Sequence, residues 1–229
     1  MESNNTKTIY SSNHINFFEK IISKKRLEMI LVVNNYLKNQ KLNDVVDIGT
    51  TNDQENPSSN IIIKNLQNFQ VYKSISDQRI DKGFFTKCLN KSIVEEFTQI
   101  ELDEFSSDLV ISNATIEHVG NYQNQKKMIN NIIKLSKKYF IVITPNRFHP
   151  VEPHSKLPFL HWLPKTVHRK ILSFLGHTIL SKEENLNLLS KKDIQQIMSS
   201  FQNISYEIKY INFLFLKSNF IIIGKKKYS

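Results

Sequence analysis

The sequence predicts an α/β fold in which a mostly parallel β-sheet is covered by helices and ends in an antiparallel hairpin. Three observations lead to this fold class. Short apolar segments alternate with helical segments through the first 145 residues, a pattern that produces parallel strands joined by helices. The first apolar segment runs into a glycine turn at Gly49. The chain ends in two adjoining apolar segments, which is typical of a hairpin.

The first elements follow from periodicity. Apolar residues recur at broadly helical spacing between residues 14 and 38, which predicts a helix there. Residues 45–48 are apolar on either side of Asp47, as expected of a strand that is buried on both faces. Gly49 then allows a sharp turn.

The next stretch is less regular. Residues 52–60 contain Pro57 and predict a loop and then a helix start, so a short helix is expected over residues 61–69. Residues 70–76 predict a second strand, and residues 84–92 a third. Residues 95–107 are acidic and are expected to form a loop.

The middle of the chain returns to clear alternation. Residues 108–112 predict a strand, residues 123–137 an amphipathic helix and residues 139–144 another strand. Pro145 ends that strand.

The pattern then changes. Residues 146–190 are rich in proline, histidine and aromatic residues and are interpreted as a substrate-side insertion, with a helix over 165–175. Residues 205–216 and 219–224 predict two strands, and Lys217–Ser218 suits a hairpin link between them.

Bulk properties exclude several classes of protein. A chain of 229 residues with 40% hydrophobic residues suits one domain, spanning 1–229, with a real core. No apolar run is long enough to span a membrane, and the polar first eight residues lack a signal-peptide core, so a cytoplasmic location is expected. The single cysteine, Cys88, excludes an intramolecular disulfide.

The net charge of +10 has two interpretations. It could reflect a nucleic-acid partner, or a general abundance of lysine along the chain. The lysines are scattered, apart from Lys225–Lys227, so the second interpretation is favoured and a nucleic-acid partner is disfavoured.

Polar residues follow four of the predicted strands. Parallel sheets bind ligands beyond the carboxyl ends of their strands, where a carboxylate or an amide can hold a ribose or an amine. The four strand ends are Asp47–Thr50, Ser76–Asp77, Ser112–Ala114 and Thr144–Asn146.

Several short motifs then indicate a family. The run Asp47-Ile48-Gly49, the strand Ser107–Asn113 and the following Ile116-Glu117-His118-Val119 together resemble class I S-adenosylmethionine-dependent methyltransferases. The runs 144–154 and 157–164 resemble a bacterial branch of that family, of the methyltransferase type 11 kind. The resemblance implies a Rossmann-like, seven-stranded, three-layer αβα fold. It also implies S-adenosyl-L-methionine as cofactor and a small-molecule or glycan acceptor, such as a surface-polysaccharide precursor.

The resemblance also assigns cofactor-binding residues. They are Asp47, Gly49 and Thr50 for the methionine part, Asp77 for the ribose, Ser92 and Ile93 for the adenine, and Asn113 near the methyl group.

The turn after the first strand departs from the family pattern. Thr50 and Thr51 stand where a small residue and a second glycine are usual, and a Cβ restricts how closely the backbone can approach a ligand. A non-catalytic, methyltransferase-like binding protein is therefore the alternative to an enzyme.

A hydroxyl nucleophile would need a general base, for which histidine is the commonest choice near neutral pH. The candidates are His118, His149 and His154. Candidate substrate-binding residues are Asn146, Glu152, His161 and Trp162. A metal site is disfavoured because prolines interrupt the histidine-rich segment and no pair has helical i, i+4 spacing.

The apolar run 157–164 has three interpretations. The favoured one is that it packs as core, and the second is that it forms a lid or a wall of the substrate pocket. The third is a membrane-facing patch for a lipid-linked substrate, supported by basic residues that follow it: Lys165, His168, Arg169 and Lys170. The oligomeric state is left open by the sequence.

Overall fold

The computed structural model describes residues 17–53, 56, 59–149, 157–213 and 215–227, with only the backbone of residues 17–21. Its strands are β1 Asp44–Ile48, β2 Val71–Ser76, β3 Lys87–Asn90, β4 Ser107–Asn113, β5 Ser136–Pro145, β6 Ile204–Phe213 and β7 Leu216–Lys226. Its α-helices are α1 Phe17–Leu37, α2 Ile61–Lys64, α3 Gln99–Phe105, α4 Tyr122–Leu135, α5 Lys165–Phe174 and α6 Lys191–Ser199. Two 3₁₀ helices span Ile116–His118 and Leu160–Trp162.

The seven strands of the described chain form one sheet in the order β3-β2-β1-β4-β5-β7-β6. The pairs β1–β2, β1–β4, β2–β3 and β4–β5 are parallel. The pairs β5–β7 and β6–β7 are antiparallel. The predicted fold class, a mostly parallel sheet with an antiparallel C-terminal hairpin, is confirmed.

Two apolar clusters lie on opposite faces of the sheet, because successive strand side chains point to opposite sides. Val46 and Val110 face one cluster, together with buried residues of α4 and α6. Val45 and Leu109 face the other, together with α1 and α2. The continuous apolar pattern of β1 and β4 therefore reflects helices on both faces, and the fold has three layers.

One close approach fixes the pairing of β5 with β7. Gly224 pairs directly with Phe140, a ring that is completely buried. A Cβ at position 224 would lie 2.0 Å from the ring Cζ of Phe140. Only glycine leaves room for this ring.

Two helices were not predicted. Residues 95–107 were expected to be a loop, yet they contain α3, which begins with a capping box between Thr98 and Glu101. α6 begins with the same device, in which Ser190 and Asp193 exchange hydrogen bonds. Both capping signals are present in the sequence, and the buried Ile194, Ile197 and Met198 of α6 also have helical i, i+3, i+4 spacing.

Other expected boundaries were wrong. The helix expected over 61–69 ends at Lys64, because Asn65 bonds back to Ile61 and Ile62 and leaves the helix. The link expected at Lys217–Ser218 lies inside β7, and the hairpin turns two residues before Lys217, around Phe215 with its φ of 64°.

The expectation that the run 157–164 packs as core was also wrong. Phe159, Trp162 and Leu163 are exposed, and Leu157 is half-buried. His161, the polar member of the run, is the buried one. A short apolar run predicts burial only when a neighbouring element covers it.

The contact between positions 224 and 140 can be tested directly. We expect Gly224→Ala to lower the free energy of unfolding by about 1–3 kcal/mol or more, because overpacking forces Phe140 out of its rotamer. Chemical denaturation of Gly224→Ala, Phe140→Leu and the double variant provides the measurement. The double variant should lose less free energy of unfolding than the two single variants lose together. Losses that simply add would contradict the contact.

Candidate functional site

The carboxyl ends of the parallel strands meet where the order of the sheet reverses. Ile48 at the end of β1 pairs with Ile75 of β2 on one side and with Ser112 of β4 on the other. The chain leaves β1 toward β2 and later returns on the opposite side as β4. Such a reversal opens a crevice outside the strand ends, which is where open α/β sheets bind ligands.

Gly49 begins the turn at this reversal point. Its φ is 81°, in the region that favours glycine. A Cβ there would lie 2.2 Å from the hydroxyl oxygen of Thr115, which follows β4. That hydroxyl donates a hydrogen bond to the carbonyl of Ile48 at 3.2 Å. The turns after β1 and β4 are thus packed directly on each other.

Asp47 and Thr50 form a buried pair inside the turn. The Thr50 hydroxyl donates to the Asp47 carboxylate at 2.7 Å, and Thr50 is only 1% exposed. Burial raises the pKa of Asp47 to about 7, and the hydrogen bond from Thr50 only partly offsets this rise. The Thr50 carbonyl in turn accepts from the hydroxyl of Ser76, at the end of β2. Thr50 therefore points into the protein and leaves the crevice clear.

The next backbone amides already have partners within the chain. The side chain of Asn60 accepts from the N–H of Thr51 at 2.9 Å and donates to its carbonyl at 2.8 Å. The Gln78 side chain accepts from the N–H of Asn52 at 3.2 Å. The Asp53 N–H donates to the Thr51 hydroxyl. In this conformation the N–H groups after Thr50 stabilise the loop by hydrogen bonds to side chains of the protein.

The ends of β2 and β3 carry the residues predicted for the ribose and the adenine. Asp77 follows β2 and is exposed, so its carboxylate is accessible at this edge. Ser92 is half-buried, and its N–H donates to Glu95. Ile93 belongs to the core, and its carbonyl accepts from Asn131. The roles of all three residues remain predictions.

The end of β4 carries one predicted residue and is followed by one whose importance was missed. The predicted residue, Asn113, is half-buried. Four residues on, Glu117 is completely buried, and one of its carboxylate oxygens accepts from the hydroxyl of Thr144 at 3.0 Å. Its other oxygen has no hydrogen-bond partner among the described residues. A buried carboxylate oxygen without a donor is costly, so Glu117 is a candidate functional group beside the ends of β4 and β5. The sequence signal was the Glu-His pair that follows β4.

Asn187 ties the predicted insertion to the β4 end. Its N–H donates to the carbonyl of Glu117 at 2.7 Å, and its side-chain amide donates to the carbonyl of Gly120 at 2.8 Å. Its side-chain oxygen accepts from Lys165 at 2.6 Å, and its carbonyl accepts from Gln125 at 2.8 Å. Each polar group of this buried residue therefore has a partner.

The predicted histidines have different surroundings. His118 is exposed, and its Nδ1 lies 2.6 Å from the carbonyl of Asn185, so Nδ1 carries a proton. The buried His161 uses Nε2 to donate to the carbonyl of His149, an oxygen that also accepts from the indole of Trp162. The half-buried His149 packs its ring 5.4 Å from that of Phe213.

The remaining predicted substrate-side residues are placed as follows. Asn146 follows β5 and uses its side chain to donate to Lys217 and to accept from Phe148. Glu152 and His154 lie outside the described residues. The side chains of the described ranges contain no group of three or more histidine, cysteine or acidic residues that could hold a metal ion. No helix in these ranges is long and apolar enough to cross a membrane.

Comparison with solved structures identifies the fold. Magnesium protoporphyrin IX methyltransferase ChlM from Synechocystis PCC 6803, with bound SAM, matches with a TM-score of 0.57 at 13% identity, covering 96% of this chain and 88% of that one. The protein has the fold of class I S-adenosylmethionine-dependent methyltransferases. N-methyltransferase NodS from Bradyrhizobium japonicum, in complex with S-adenosyl-L-homocysteine, matches with a TM-score of 0.53 at 8% identity, covering 90% and 87%.

The methyltransferase domain of a bacterial Hen1 matches too, with a TM-score of 0.52 at 12% identity, covering 89% of this chain and 99% of that one. No protein-family model matches the sequence. No curated protein matches it either. The methyltransferase fold is therefore established by the structure.

The buried carboxyl of Asp47 should make stability depend on pH. Because its pKa is raised in the folded state, the native state holds the proton more tightly, and stability is lost as the pH rises from about 4 to about 7. Asp47→Asn mimics the protonated form. We expect the stability of Asp47→Asn relative to the native protein to increase by about 2–4 kcal/mol between pH 4.5 and pH 8.

Denaturant titrations at both pH values measure this difference. Asp103→Asn, which removes an exposed carboxylate on α3, provides the matched control for the substitution itself. If the free energies of unfolding of Asp47→Asn and the native protein differ by the same amount at both pH values, the raised pKa of Asp47 is contradicted.

Proposed function

We propose that the chain is an S-adenosylmethionine-dependent methyltransferase that acts on a small molecule or a glycan precursor. The observation that carries this proposal is the reversal point of a methyltransferase-fold sheet, with Gly49 in the turn after β1 and an exposed carboxylate, Asp77, directly after β2. A cytoplasmic location remains part of the proposal.

The residues at the crevice suit the cofactor. The glycine-poor turn raised the question of whether a side chain at position 50 keeps the cofactor away from the backbone. The Thr50 side chain is directed inward, so its Cβ does not obstruct that approach. Asp77 suits the two hydroxyls of a ribose, since a carboxylate is a strong acceptor. Asn113 would lie toward the methyl group at the end of β4. The cofactor, when bound, supplies an activated methyl group on a sulfonium centre.

The protein then has to orient the acceptor and exclude water, because in-line displacement depends chiefly on positioning. The Nδ1–H of His118 donates to the Asn185 carbonyl, which orients the ring and places the proton of a neutral imidazole on Nδ1. His118 is therefore supported as a general base for a hydroxyl acceptor. His149 and His154 remain candidates on the β5 side.

The alternative, a non-catalytic binding protein, has one specific observation in its favour. The amides of Thr51 and Asn52 already donate to Asn60 and Gln78, and they would be unavailable to a cofactor in this conformation. Direct measurement of cofactor binding separates the two functions.

We expect Asp77→Ala to weaken the binding of S-adenosylhomocysteine by about 10–100-fold, since two hydrogen bonds to a charged group are lost. Isothermal titration of the native protein and the variant measures this. Asp103→Ala is the control and should bind as the native protein does. Absence of binding to the native protein at millimolar concentration would favour the non-catalytic function instead.

We expect His118→Asn to lower turnover by about 10²–10⁴-fold, because asparagine can still donate to the Asn185 carbonyl but cannot accept the proton. The measurement is S-adenosylhomocysteine release with nucleotide-sugar and glycan acceptors. His149→Ala and His154→Ala test the β5 side in the same assay. Unchanged turnover in all three variants would exclude these three histidines as the base and favour an amine acceptor that needs none.

A further inference from the structure

The segment from Leu157 to Lys182 presents large apolar side chains to solvent. Seven of them are exposed, and we call them the apolar surface: Phe159, Trp162, Leu163, Val167, Phe174, Leu175 and Ile179. Phe174 is 89% exposed and Ile179 is 63% exposed. Clustered exposure of this kind marks an interaction site, whereas single exposed apolar residues do not.

Helix α5 has one buried face and one exposed apolar face. His168 and Leu172, four residues apart, are buried against the protein. Val167 and Phe174, seven residues apart, lie on another face and are exposed, with the exposed Lys170 between them. The buried face attaches the helix, so the exposed face is available to a partner.

The same segment carries an excess of positive charge. Residues 157–182 contain no aspartate or glutamate but four lysine or arginine residues and three histidines. Glu183 and Glu184 follow directly, and they lie 3.0 Å from Arg169 and 3.7 Å from Lys182. With these two acids included, residues 157–184 still carry a net charge of +2, and Lys170 is exposed on α5. This net positive charge favours an anionic partner for the apolar surface.

The apolar surface is attached to the substrate end of the sheet. Arg147, two residues beyond β5, donates to the carbonyls of Leu163 and His161 at 2.9 and 3.3 Å. The Trp162 indole donates to the carbonyl of His149, in the same connection. The apolar surface is thus fixed beside the crevice.

We propose that this segment docks the protein on an anionic lipid bilayer. Aromatic and aliphatic side chains that enter the interface, together with lysines that reach anionic headgroups, are the two components of peripheral membrane binding. Trp162 suits this location because its ring is apolar and its N–H is polar.

Two other partners fit less well. A second copy packed on the same surface would bring like charges together, since a two-fold interface places each patch against itself. A single-stranded nucleic acid would use the cations and the aromatic rings, but Leu163, Val167, Leu175 and Ile179 offer bases no face for stacking.

Docking on a bilayer would orient the crevice toward acceptors carried in the membrane. This inference does not depend on the proposed methyl transfer, because vesicle binding can be measured without the cofactor. A failure of either proposal is therefore distinguishable from a failure of the other.

The test is co-sedimentation of the full chain with vesicles of phosphatidylcholine alone or with about 30 mol% phosphatidylglycerol. We expect binding to the anionic vesicles only, and weaker binding at about 0.5 M than at about 0.1 M NaCl. Phe174→Ser/Ile179→Ser and Lys170→Glu should each raise the lipid concentration for half-maximal binding about tenfold or more.

Matched controls lie outside the segment. Ile100→Ser replaces another exposed apolar residue, 78% exposed on α3, and Lys127→Glu reverses an exposed charge on α4. Both controls should bind vesicles as the native protein does, and circular dichroism should show every variant folded.

Three results would overturn the proposal. The first is absent or equal binding to the two kinds of vesicle. The second is a dimer, seen by light scattering, that Phe174→Ser/Ile179→Ser abolishes. The third is tighter binding to a single-stranded RNA oligonucleotide than to anionic vesicles, weakened by the same substitutions.

Discussion

The packing of the turn after β1 on the turn after β4 is the constraint on which the candidate site depends. Gly49 and Thr115 come so close that no Cβ fits between them, and the Thr115 hydroxyl bonds to the last carbonyl of β1. These two turns flank the point where the sheet order reverses. Their contact therefore fixes how the end of β1 lies against the end of β4, where Asn113 is placed.

On its inner side, the same turn is stabilised by buried polar groups. Asp47, Thr50 and Ser76 form a chain of hydrogen bonds from β1 to β2. Burial of the Asp47 carboxyl raises its pKa to about 7, so the charged form is destabilised relative to the same group in water. The two threonines that replace small residues thus have separate roles: Thr50 supports the turn from within, and Thr51 is held at its backbone by Asn60.

The segment between β5 and α6 is connected to the sheet by a few buried polar residues. Asn187 links it to the β4 end, and Arg147 links it to the β5 end. The Asn187 bond positions the segment next to His118, the candidate base. The Arg147 bond attaches the exposed apolar surface to the end of β5. The candidate base and the proposed membrane-binding surface would accordingly belong to the same segment. A membrane-borne acceptor would then reach the candidate site without first leaving the bilayer surface.

The alternation of apolar strands and helices was enough to predict the sheet, its parallel strands and the need for glycine at position 49, because each follows from local periodicity or backbone geometry. It also placed polar residues at the strand ends. Tertiary structure alone decided which way those residues point. Asp47 and Thr50 were both predicted as cofactor-binding residues, and tertiary structure joins their side chains in a hydrogen bond. Glu117 gained its importance only through Thr144, 27 residues away. Likewise, an amphipathic pattern shows that α5 has apolar residues, while only packing decides that Leu172 is buried and Phe174 is exposed.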